Sequence, residues 1–170
     1  MQNQKKIKLS NYFGYVQKAA VYYQQKNYTE SLLFFRKSGE AFMKYRLYDK
    51  LDERKVQNYL VGSHSLDGKL NKKNFRPTYS NILHELDKLG CLSEDEKMAL
   101  CHLSSGSNVQ MHDPDEEKTE LDKNIDFSLV FDHSRKLTQL FYKSMLKGIP
   151  QKLKDAYEGK SPLDRMAVPI

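Results

Sequence analysis

The chain is poor in cysteine, has no long apolar run and shows no strand-like alternation, and each lack removes a class of protein. Its two cysteines, Cys91 and Cys101, carry neither a CxxC spacing nor a histidine partner. A disulfide framework and a zinc finger are therefore not encoded, and both side chains read as free buried thiols. No stretch approaches the roughly 18 apolar residues of a membrane span, and MQNQKKIKLS sets a basic flank before no apolar core. The expectation is a soluble, cytoplasmic protein with no membrane partner. Nowhere do apolar and polar residues alternate with period two, which removes sheets. Nucleophile elbows, glycine-rich phosphate loops and the HExxH pattern are all missing, so most enzyme classes drop out and no cofactor or metal is implied.

What is present fits one helical domain. The 170 residues are 39% hydrophobic and 29% charged, enough apolar material to bury a core without a metal or disulfide staple. Residues 1–150 are expected to form that domain and residues 151–170 a tail with little apolar periodicity. The charge is unevenly divided: residues 1–76 hold 16 basic and 6 acidic side chains, residues 77–170 hold 12 and 16. A basic half can attract RNA or another polyanion, or can be an ordinary solvated lysine face.

Periodicity predicts five helices. The first runs over 11–26, capped by Ser10, with Tyr12, Val16, Ala19 and Tyr23 on one face; the second follows Thr29 as cap and carries Leu32, Phe35, Gly39 and Phe42 to about Tyr48. Their short connection makes them an antiparallel hairpin. Residues 52–77 read mostly as loop, with one helical turn through Val56 to Val61; a connection this long is functional or mobile. Thr78 caps a third helix bearing Ile82, Leu83, Leu86 and Leu89, which Gly90 ends. Ser93 and Glu96 form a capping box for a fourth, expected to bury Met98, Cys101, Leu100 and Leu103 and to fail near Ser104. The last starts near Phe127, carries Val130, Phe131, Leu137, Phe141 and Met145, and stops at Gly148 and Pro150. The predicted fold is all-α, an up-down bundle of four to five helices.

Candidate chemistry is concentrated in the polar run from Ser104 to Asp113. His64, His84, His102 and His133 match no metal spacing and read as surface or half-buried residues. His112 stands one helical turn after Asn108, so a helical segment would put the amide and the imidazole on one face. There the imidazole could transfer a proton and the amide could orient it or a phosphate; alternatively Asn108 is a cap and His112 faces water.

The segments SLLFFRKSGEAFMKY and LSSGSNVQMHD resemble motifs of the HEPN superfamily of helical bundles, especially the branch of unknown function also found at the front of type I restriction endonuclease subunits. The likeness covers about residues 11–147. Arg36 and Glu40 match its arginine and glutamate one turn apart, and Asn108 and His112 match its asparagine and histidine. Ser104 replaces the arginine of that motif, and Ser107 its glycine. Active HEPN ribonucleases cleave RNA without metal, using arginine and histidine from two protomers. A serine hydroxyl cannot grip phosphate as a guanidinium does. The resemblance thus implies a dimerising protein- or nucleic-acid-binding module of a prokaryotic or phage defence system, catalytically degenerate. The alternative it leaves is a divergent metal-independent ribonuclease with His112, Asn108, Arg36 and Glu40 at its site. A third reading comes from AAVYYQQKNYTESLLFFRKSGEA, which is similar to one tetratricopeptide-type pair and implies a peptide-binding scaffold; such solenoids need about three copies.

Overall fold

Helix α2 (Tyr28–Lys50) is buried on nearly every side: Leu32, Phe35, Ser38, Gly39, Phe42, Met43 and Leu47 are all inaccessible. A helix apolar around most of its circumference must be wrapped by others. In the computed structural model, which describes residues 3–111 and 120–147, five helices do so: α1 (Asn3–Gln24), α3 (Glu53–Val61), α4 (Tyr79–Lys88), α5 (Glu94–Met111) and α6 (Glu120–Leu146). The architecture is all-α, and the described residues contain no strand beyond a single bridge between His64 and Leu70. No helix among them is long and apolar enough to cross a membrane. One buried cluster draws on all six helices, from Leu9 and Tyr12 through Val56, Ile82 and Leu100 to Phe141 and Met145.

Helices α1 and α2 form the expected hairpin, held by Ser31 Oγ donating to the Ala19 carbonyl at 2.7 Å. α1 begins at Asn3, earlier than residue 11, and Ser10 is an exposed residue inside it rather than its cap. The early start has partners: Lys5 pairs with Asp49 near the end of α2, the Gln4 amide donates to Glu53 of α3, and Leu9 is buried. Asn27, rather than Thr29, caps α2 by accepting from the Glu30 amide at 3.3 Å. The end of α1 is a Schellman turn, with Asn27 N donating to Tyr22 O and Lys26 N to Tyr23 O, both at 2.9 Å. It forces Lys26 to φ 60°. A lysine in the left-handed region costs about 1–2 kcal/mol, and glycine returns part of that gain through its larger unfolded-state entropy. Lys26→Gly should therefore raise the thermal midpoint by roughly 1–4 °C in a melting experiment.

Within the stretch expected to be mostly loop, Asp52 caps a nine-residue α3 and Gly62 ends it at φ 91°. The remainder is a hydrogen-bonded loop: Ser65 N to Lys69 O, Asn71 N to Ser63 O and Phe75 N to Gly62 O lie between 2.9 and 3.0 Å. The Ser93–Glu96 capping box forms, Thr78 caps α4 as expected and makes a second such box with Asn81, and Gly90 takes φ 69°. α5 does not fail near Ser104 but stays helical through Met111, and α6 begins at Glu120 rather than near Phe127. Over residues 94–104 of α5, where the side chains are described, Ala99, Leu100 and Leu103 are buried, whereas Met98 and Cys101 are exposed, and Cys91 before the helix is half-buried. Neither cysteine is a buried thiol. That register is fixed by polar ties: Tyr79 Oη donates to the Leu100 carbonyl at 2.7 Å, and Arg46 reaches Glu96 at 2.8 Å and the Cys91 carbonyl at 3.0 Å. The Gly148 and Pro150 stop and the tail 151–170 lie outside the described residues.

Candidate functional site

The residues singled out by sequence are dispersed. Arg36 and Glu40 sit one turn apart on α2 without pairing to each other: the Arg36 guanidinium lies over the Tyr79 ring, 5.5 Å from its centroid, and Glu40 pairs with Lys44 at 3.0 Å. A glutamate one turn before a lysine is the favoured orientation for such a helical pair. Burial pushes the Tyr79 phenol far above its ordinary range, with Arg36 opposing the shift. Asn108 stands in the last turns of α5, where the backbone is helical but its side chain is not described. His112 lies outside the described residues.

Cations converge instead on the seam between α1 and α2. The antiparallel hairpin sets Lys8 of α1 beside Lys44 of α2, and two clefts open on either side of the pair. The larger, about 490 Å³, runs toward α3 and the loop after it, bringing in Arg76, Gln57, Asn58 and the buried Tyr48 with no carboxylate on its walls. The smaller, about 170 Å³, is lined by Asn11, Tyr15, Lys37 and Glu40. Lys8 and Lys44 line both, so the clefts share one positive floor. Partial burial pulls the Lys8 ammonium below its ordinary value, and the charge of Lys44 lowers it further; Glu40 only partly offsets them. Two like charges are thus held together where water is reduced, an arrangement that an incoming anion would relieve.

Beyond the smaller cleft the same seam becomes aromatic. Phe34 is flanked by Lys37 and Lys18, at 4.7 and 5.4 Å from its ring, while Tyr22 stacks on it at 5.3 Å and Tyr15 packs at 5.9 Å. From Lys8 to Lys18 the strip extends about 15 Å along α1 at the helical rise per residue. Phe34 itself is buried, so the rings within reach of a ligand are the half-buried Tyr15 and Tyr22, and cations interleaved with them suit a flexible polyanion whose bases have faces to stack. No family model, curated protein or solved structure matches the chain.

Two features escaped the sequence reading. The seam was visible only as a charge surplus, because Lys8, Lys44 and Arg76 come from three separate segments and share no motif. His102 and His133, read from spacing as surface or half-buried residues without a metal pattern, meet across α5 and α6 with Nδ1 of one 2.8 Å from Nε2 of the other. Their separation in the chain carries no pattern. Among the described residues no group of three or more potential metal ligands forms.

Proposed function

We propose that this chain is a binding module that takes single-stranded nucleic acid along the α1–α2 seam, with Lys8, Lys44 and Arg76 on phosphates and Tyr15 and Tyr22 as stacking surfaces. The observation that supports it most is the Lys8–Lys44 pair, two cations that line both clefts, with Glu40, ion-paired to Lys44 at 3.0 Å, the one carboxylate among the lining residues. The site is complete within one chain. It is the non-catalytic form of what the HEPN resemblance implies, and the homodimer and defence context remain part of that proposal. The tetratricopeptide-like reading is weaker, since the hairpin is followed by helices of 9, 10, 18 and 27 residues rather than by copies of itself.

The test is fluorescence anisotropy of the full chain with a labelled single-stranded RNA, repeated over salt. With about five phosphate contacts, Lys8, Lys44 and Arg76 together with Lys18 and Lys37 of the aromatic strip, affinity should fall roughly a hundredfold between 50 and 200 mM salt. The variant Lys8→Gln/Lys44→Gln/Arg76→Gln should bind more weakly at low salt and lose less than about tenfold over the same range. Removing charge from helices that line neither cleft, with Lys88→Gln/Lys136→Gln, should change little. Binding that ignores the first variant, or that responds equally to both, overturns the reading. The same reactions run on a gel report cleavage: chelator-resistant cutting lost in His112→Ala would make the chain a ribonuclease.

A further inference from the structure

We propose that His102 and His133 form a two-imidazole clamp for a divalent late transition-metal ion, joining α5 to α6 at a surface separate from the basic seam. Both rings are exposed, their centroids 5.0 Å apart and their planes at 50°. The facing nitrogens, His102 Nδ1 and His133 Nε2, stand 2.8 Å apart, and among the described residues each ring's recorded polar partner is the other. Cis ligands about 2.1 Å from an octahedral ion are about 3.0 Å apart, and two ligands of tetrahedral zinc about 3.3–3.4 Å. The nitrogen separation therefore needs to widen by only a few tenths of an ångström, while each ring turns so that its facing nitrogen points to one side of the N–N line, movements open to exposed side chains through their own torsions.

Proton balance permits the exchange. In the hydrogen-bonded pair, one facing nitrogen carries a proton and the other accepts it. When an ion enters, the donor ring moves its proton through water to its other nitrogen, both facing lone pairs turn to the metal, and no net proton is released from a neutral pair. Imidazole suits nickel, copper and zinc, and with no third ligand among the described residues water completes the shell. The ion would be exchangeable, and its effect would be to tie α5 to α6 through two residues 31 positions apart in the chain.

The experiment uses the full chain without a polyhistidine tag, which would itself bind metal. Titration calorimetry with Ni²⁺ should give one saturable site per chain, and the ion should raise the melting midpoint by several degrees. His102→Ala and His133→Ala should each abolish both effects while leaving the metal-free circular dichroism unchanged. His84→Ala, at another exposed histidine, should retain both. Saturable binding that survives in the His102→Ala/His133→Ala chain, or no saturable binding in the parent, overturns the proposal.

Discussion

Replacing Phe42 by alanine should destabilise the protein by about 3–5 kcal/mol, the largest loss expected from any single truncation here. Phe42 is fully inaccessible at the middle of α2. Its ring lies 4.5 Å from that of Phe141, tying α2 to α6, and the Arg46 guanidinium stands 5.0 Å from its centroid. Arg46 in turn holds Glu96 and the Cys91 carbonyl at the start of α5. Alanine would leave a dry cavity between two helices and remove the surface on which that arginine is positioned. Native stabilities are commonly 5–15 kcal/mol, so the variant should melt roughly 10 °C lower or more. Phe42→Leu, which keeps most of the volume, should cost less than about 1.5 kcal/mol. Urea titrations followed by circular dichroism measure both, and a loss below about 1 kcal/mol for the alanine variant would contradict this account of the core.

Phe42 was legible beforehand because it belongs to a stripe, Leu32, Phe35, Gly39 and Phe42, whose spacing is helical whatever packs on it. The cap at Thr78 and the capping box at Ser93 were legible for a similar reason: their chemistry is local, a hydroxyl meeting an amide three residues on. Boundaries set by distant contacts were not. The lysine-rich start of α1 resembles a tail until Lys5 finds Asp49 and Gln4 finds Glu53. The run after Ser104 has poor helix formers, yet α5 is anchored by Leu100 and Leu103, and each added residue gains a hydrogen bond without a new nucleation cost. Of the four residues expected inward, Leu100 and Leu103 are buried, and the Arg46–Glu96 and Tyr79–Leu100 ties hold the register that leaves Met98 and Cys101 exposed.

The candidate site was legible only as a sign. A count of charges finds the basic half, but adjacency of Lys8 and Lys44 follows from the register of the hairpin, and that register depends on the Lys26–Asn27 turn. Arg76 depends on a loop whose hydrogen bonds no spacing rule encodes. The motif that did have a spacing, Asn108 with His112, falls where one side chain is undescribed and the other residue lies outside the described ones, so it gave no geometry to the site.

Gly62→Ala should cost about 3 kcal/mol and should also weaken the basic seam, although it removes no charge. Gly62 ends α3 at φ 91°, a conformation that strains any side chain by about 1–3 kcal/mol. A Cβ there would stand 2.7 Å from the Phe75 carbonyl carbon and 2.8 Å from Arg76 N, both backbone atoms that cannot swing away. The Gly62 carbonyl also accepts from Phe75 N at 3.0 Å, so relief of the clash must move the segment that delivers Arg76 to the larger cleft. Gly68 supplies the control: its φ is 89°, but nothing lies within 4 Å of a Cβ placed on it. Gly68→Ala should show the conformational cost alone, about 1–3 kcal/mol, with nucleic-acid affinity intact. The difference between the two variants isolates the backbone contact, and the pair of measurements is urea unfolding and anisotropy at a temperature where both remain folded. Equal affinity in the two would mean that Arg76 contributes to the seam without being held there by Gly62.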